Sequence, residues 1–292
     1  MPRESWELIV IDDSLRKGPA FARNRGIEKA KAPIVVFVDS DVMVHQDALR
    51  LMLNHFNDES VKAVFGSYDT SPLAQGIVSQ YRNLLHAYVH QHAGGDVESF
   101  WAGCGAARRE SLIAVGMFDE KRFERPEMED VELGYRMRDA AMRIVLDPAV
   151  QCTHRKRWSL PRMVSSDFAR RGVPWTRLLL DRGEFFHPRG LSLGKRESLG
   201  VFSAPVWLAS MIAGILAWNL VWLIVAVAAL IVFLVSSSRF LGWLVRVKGL
   251  PFALSAIPLH LTYNIVAFTA LIWGVVTSPF SRYGQARYTP RQ

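Results

Sequence analysis

The stretch VFVDSDV, Val36 to Val42, is a β-branched run that stops at Asp39-Ser40-Asp41. Branched side chains favour extended backbone, so the run reads as a strand ending in carboxylates. Acids at i and i+2 on an extended chain point to one face, and at the carboxyl end of a strand they can share a metal-bound ligand. A divalent cation such as Mg²⁺ or Mn²⁺ takes carboxylate and phosphate oxygens together, so an ion held there could neutralise a diphosphate leaving group.

Working outward, ELIVI (7–11), IVVFV (34–38), VKAVF (61–65) and RIVLD (143–147) are the strand candidates, with helical patterns between them. DALRLMLNHF (47–56) places Leu49, Met52, Leu53 and Phe56 on one helical face behind Asp47. Such alternation predicts an α/β fold. LIVIDDS ends its run in Asp12 and Asp13, so two carboxylate-tipped strands are expected to share a crevice at one sheet edge. PEMEDVELGYRMRDAA opens a helix with Glu129 and Asp130 in its first turn, where the helix dipole favours the ionised carboxylate and suits a general base.

Charge separates the chain into a balanced front and a basic, apolar end. The 292 residues carry a net +8, yet no Asp or Glu follows Glu197, and the six later basic residues account for most of the excess. No nucleic-acid module accompanies the charge, so no nucleic-acid partner is expected. Cys104 and Cys152 lack a CxxC spacing and read as reduced thiols. No export signal opens the chain, so the front half is expected in the cytoplasm. His86 and His90 stand at i and i+4, the spacing of zinc helices, but no HExxH glutamate accompanies them, and a helix near the acceptor entrance or simply on the surface is expected.

Val201 to Val235 contains no charge, and as one helix would run about 52 Å against roughly 30 Å of bilayer hydrocarbon. A hairpin of two spans turning near Trp218 and Asn219 fits better, with Trp207, Trp218 and Trp222 as interfacial anchors and residues 236–249 as a loop. Leu250 to Val276 is a third candidate span. Between Arg155 and Arg196, eleven Lys or Arg interleave with aromatic and leucine residues, which suits a segment lying on anionic headgroups. The expected division is 1–158 for an α/β domain, 159–198 for the interfacial segment, 199–280 for two to three transmembrane helices and 281–292 for a basic tail.

The order VIDDS, ARNRGI, VFVDSDV, AGCGAARRESLIAVGMFDE, EMEDVELGYRMR and HRKRW resembles glycosyltransferase family 2, inverting enzymes of the Rossmann-like GT-A fold, over roughly Glu7 to Trp158. The resemblance implies a nucleotide-sugar donor, UDP- or GDP-linked, and a divalent metal. It implies that Asp13, or Asp12, contacts the base, that Asp39 meets the ribose or diphosphate and that Asp41 ligates the metal. Asp130 of the Glu129-Asp130 pair would deprotonate the acceptor hydroxyl. Arg157 and Trp158 match the Arg-Trp of the family's QxxRW element, with His154 where the Gln belongs, free to join the metal or the diphosphate. The spans imply a lipid-linked or glycan acceptor and a multi-pass enzyme of the plasma membrane with its catalytic domain cytoplasmic. Relatives usually begin with a further strand and helix ahead of the position of Glu7. That difference supports the alternative of a catalytically inactive membrane binding or scaffold protein derived from such an enzyme.

Overall fold

The run 34–38 forms β1 (Ile34–Val38), as expected from its branched side chains, and a tight turn at Asp39–Asp41 leads into β2 (Val42–Val44). The computed structural model describes residues 6–12, 17–186 and 195–280. The other strands are β3 (Val61–Tyr68), β4 (Gly95–Val97), β5 (Cys104–Arg108) and β6 (Arg143–His154). Their order is β1-β5-β3-β6-β2, with β4 also beside β6; β3 and β6 run parallel and the remaining pairs antiparallel. The helices are α1 (Pro19–Lys29), α2 (Ala48–His55), α3 (Ile77–Gln91), α4 (Arg109–Ala114), α5 (Glu129–Asp139), α6 (Leu160–Ser166), α7 (Val173–Asp181), α8 (Lys195–Ala217), α9 (Leu220–Lys248) and α10 (Leu250–Thr277).

The described residues divide into two units, 6–12, 17–74 and 89–156 in the first, and 75–88, 157–186 and 195–280 in the second. In the first, β3 is buried along nearly its whole length and Phe65 meets Phe100 edge-to-face, while Phe37 packs in the same manner on Phe100 and Phe118. Gly134 lets α5 come against the chain before β5, since a Cβ there would stand 2.3 Å from the Phe100 nitrogen. Asn24 of α1 clamps the Phe118 backbone, donating to its carbonyl and accepting from its N–H, both at 2.9 Å. Cys104 and Cys152 are buried free thiols.

Two expectations need correction here. ELIVI is irregular, with Leu8 and Val10 78% and 79% exposed, because no neighbouring strand among the described residues supplies the ladder a β-strand requires. On α2 the buried residues are Ala48 and Met52, while Leu49 is exposed.

The second unit contains three helices long and apolar enough to cross a membrane, Arg196–Ala217, Leu220–Lys248 and Leu250–Thr277. The hairpin turn falls where expected: Trp218 takes a left-handed φ of 49°, and the Asn219 side chain caps α9 by accepting from the Val221 N–H at 2.9 Å. Residues 236–248, expected as a loop, continue α9, because Ser236, Ser237, Phe240, Trp243 and Leu244 all have buried positions to fill. Gly249, at φ 85°, ends α9 and begins α10. The basic segment is helical: α6, a π-turn over Asp167–Gly172 and α7 follow one another, and Arg82 of α3 donates to Asp167 at 2.5 Å with both side chains buried.

Candidate active site

The site residues of the first unit gather where β1, β3 and β6 end. Pairing fixes this: Val38 faces Cys104, Tyr68 faces Cys152, and Val42 at the start of β2 faces His154. Asp39 and Asp41 do not share a face as an extended chain would require. The Val42 N–H bonds the Asp39 carbonyl at 2.9 Å, closing a tight turn that sends the two carboxylates to different partners.

Asp39 Oδ1 accepts from Arg23 Nη2 at 2.8 Å, and Arg23 Nη1 donates to Glu129 Oε1 at 2.8 Å. Burial alone would pull the guanidinium pKa down, but the charges of Asp39, Glu129 and Asp130 outweigh it and raise it. Arg23 comes from ARNRGI on α1, next to Asn24, which clamps the Phe118 backbone. Its role was hidden in the sequence because only the fold shows which acids it faces; the signal available was an arginine between two acidic segments.

Glu129 and Asp130 occupy the first turn of α5 but differ in setting. Glu129 is buried and saturated, accepting from Arg23 and, through Oε2, from the Glu127 N–H at 2.9 Å. Asp130 accepts a long 3.3 Å bond from the Ala102 N–H and a 2.8 Å bond from the Val131 N–H. Burial, then the Glu129 charge, push its carboxyl up to about 7, against the lowering effects of Arg23 and the Ala102 hydrogen bond. The helix dipole therefore does not keep Asp130 fully ionised at neutral pH.

Asp41 lies 3.5 Å from His154 Nε2 and 3.9 Å from Lys156 Nζ. The hydrogen bond from His154, with the charges of His154 and Lys156, holds its pKa below the ordinary value despite partial burial. His154 is itself buried, its ring stacked on Tyr68 at 4.5 Å and 11°, and Tyr68 meets Trp101 edge-on at 4.8 Å. His90 completes this group against Phe65 and Trp101 rather than standing on a free surface. Beside it, His45 Nε2 lies 3.0 Å from Asp69 Oδ2 and 3.3 Å from Thr153 Oγ1.

Asp12 is exposed on the irregular 6–12 segment, and Asp13 lies outside the described residues. Arg157 and Trp158 belong to the second unit. Arg157 is exposed, and Trp158 is buried with its indole N–H donating to Asn83 at 3.2 Å and its backbone N–H to Ser79 Oγ at 2.9 Å. Also in that unit, His86 contacts Arg171.

Residues 2–116 match the family model for glycosyl transferase family 2. Over that stretch the chain is similar to this family. Two curated relatives, the pre-mycofactocin glycosyltransferases of two Mycobacterium tuberculosis strains, are each 31% identical over 163 residues, covering 53% of this chain and 33% of theirs. The chain thus spans about a third of the length of these relatives. Among solved structures, similarity extends to the mannosyltransferase PcManGT from Pyrobaculum calidifontis in complex with GDP-Man and Mn²⁺, at 17% identity and TM-score 0.46, covering 94% of this chain and 70% of that one. It extends also to GalNAc-T7 with UDP, GalNAc and Mn²⁺, at 14% identity and TM-score 0.39, covering 58% and 38%.

Proposed function

We propose that this chain, similar over residues 2–116 to glycosyl transferase family 2, is an inverting, membrane-bound glycosyltransferase that moves a sugar from a UDP- or GDP-sugar to a lipid-linked or polysaccharide acceptor. The observation that carries this reading is Asp130, a carboxyl with its pKa pushed up to about 7 beside the charged cluster of Arg23, Asp39 and Glu129. A general base works best with a pKa near the operating pH. The acceptor hydroxyl gives its proton to Asp130 as its oxygen bonds to sugar C1, and the C1–O bond to the nucleoside diphosphate breaks in line. Arg23 and the saturated Glu129 fix the first turn of α5, so Asp130 rather than Glu129 is the base. Asp39, Asp12 and Asp13 are the donor-side carboxylates, and Arg157 with Trp158 carry the resemblance to the family's Arg-Trp element.

Asp41 and His154 would hold a divalent metal. Among the described residues no three His, Cys, Asp or Glu converge on one point. Two protein ligands nonetheless fit Mg²⁺ or Mn²⁺, which are commonly bound by one or two side chains plus water and substrate phosphates. When bound, such an ion would offset charge on the leaving diphosphate.

The three long apolar helices and the basic segment ahead of them support a plasma-membrane location with the catalytic unit on the cytoplasmic side. Binding of UDP and GDP to the detergent-purified protein, with and without Mn²⁺, tests the donor site. Saturable binding that needs metal and is lost in Asp41→Asn is expected. A folded protein that binds neither nucleotide would sink the enzymatic reading in favour of an inactive scaffold.

A further inference from the structure

The three apolar helices of the second unit expose apolar side chains alike, Leu250, Leu254, Ile272, Trp273 and Val276 of α10 included, but differ in what they pack against. α8 and α9 form a hairpin whose exposed apolar side chains run from Leu199, Phe202 and Val206 to Ile215 and Leu216 on one arm, and from Leu220 and Ile224 to Val235 on the other. From Leu199 to Ala217 the first arm rises about 28 Å, the thickness of bilayer hydrocarbon. Its tip is Trp218, 95% exposed. At the opposite end, Arg196 donates to the Val235 carbonyl and Ser238 Oγ, both at 2.7 Å, and Arg239 follows. Tryptophan at one end and arginine at the other mark the two faces of a membrane.

α10 meets this hairpin at the arginine end. A Cβ at Gly200 would stand 3.0 Å from Ser236 Oγ and 3.2 Å from Asn264 Oδ1, Phe202 packs edge-on against Phe268, and Leu261 clusters with Ala204 and Phe233. Beyond that crossing α10 keeps company with the π-turn and α7. Ala270 sits against Gly172, Gly274 against Thr176, Trp273 near Phe168, and Thr277 Oγ1 accepts from Arg177 at 2.8 Å. If α10 continued parallel to α8 from Asn264, Thr277 would lie about 20 Å inside the hydrocarbon. Arg177 would go with it, together with the segment that bears Arg170, Arg171, Asp181 and Arg182. Charged side chains at that depth are expensive.

We infer that the α8–α9 hairpin alone crosses the bilayer, while α10, though long enough to span, turns with α6, the π-turn and α7 along the leaflet at the Arg196 end. Among the described residues the chain therefore crosses the membrane twice, and the end of α10 lies on the side of α6. Side assignment to cytoplasm or exterior does not enter the inference, so it stands apart from the catalytic reading.

Three single-cysteine variants of the full chain test it, Ser165→Cys on α6, Trp218→Cys at the tip and Gln292→Cys at the end, each labelled with a membrane-impermeant maleimide before and after permeabilising sealed vesicles; the native thiols are buried. Positions 165 and 292 are expected to label under the same condition and position 218 under the opposite one. Position 292 labelling together with 218 would establish three crossings and overturn the inference. Position 218 labelling together with 165 would overturn it too, by removing the crossing. Leu216→Cys repeats the tip measurement should Trp218→Cys express poorly.

Discussion

Arg23 divides one guanidinium between Asp39, on the strand side of the site, and Glu129, on the helix side. Removing it in Arg23→Ala leaves Glu129 buried with its charge uncompensated, at an expected cost of about 3–5 kcal/mol. Chemical denaturation checks this, and a loss under 1 kcal/mol would mean that Glu129 finds another partner. Asp130 gives a second prediction at this scale. Asp130→Asn is expected to lower kcat by roughly 10²–10⁴-fold, and the parent's kcat/KM should rise with pH through about 7 as the base loses its proton. The stability effect has the opposite sign. With the folded pKa above the unfolded one, the carboxyl favours folding least once it is ionised, so its penalty builds from about pH 4 and is complete above about pH 7. Asp130→Asn should therefore be the more stable protein at pH 8, by on the order of 1–2 kcal/mol for this half-buried group, and a melting series from pH 5 to 8 would reveal a gap that widens with pH.

At the scale of elements, the site depends on α5 sitting close against the chain at Phe100. Gly134→Ala puts a Cβ into the Phe100 backbone, and the rigid main chain leaves α5 to move. A destabilisation of about 1–3 kcal/mol is expected, with a larger fall in activity, since Asp130 rides on the displaced turn. Parallel measurement of Tm and turnover separates the two effects. The elements were unequally legible. β1, β3 and β6 announced themselves through branched runs, and α5 through its acids and following periodicity. β5 did not, because Gly105, Ala106 and Ala107 are small to make room for neighbours such as Phe100 rather than β-formers by composition. ELIVI misled for the converse reason: its composition suits a strand, but strandness also needs a partner. The DxD motif drew attention to the turn at Asp39–Asp41, yet only hydrogen bonding revealed that its carboxylates part, one toward Arg23 and the other toward His154.

For the whole molecule, the decisive asymmetry is the absence of acids after Glu197 together with long apolar helices. The full chain is expected to stay in the membrane pellet through washes with high salt and alkaline carbonate, and to leave only with detergent. Release by salt alone would identify a peripheral protein held by its basic segment. The hairpin turn was readable because Trp218 and Asn219 interrupt an uncharged run at its midpoint. The path of α10 was not, since hydropathy reports how apolar a helix is and says nothing about which charged neighbours accompany it.

Gly249, held at φ 85°, is the single residue between one long helix and the next, the C-cap of α9 and the N-cap of α10. Such a joint has almost no slack. Any roll of α9 about its axis has to be handed on to α10, as a crank passes torque to its rod, so whatever the lipid does to one arm of the hairpin is felt mechanically along the helix that α7 grips.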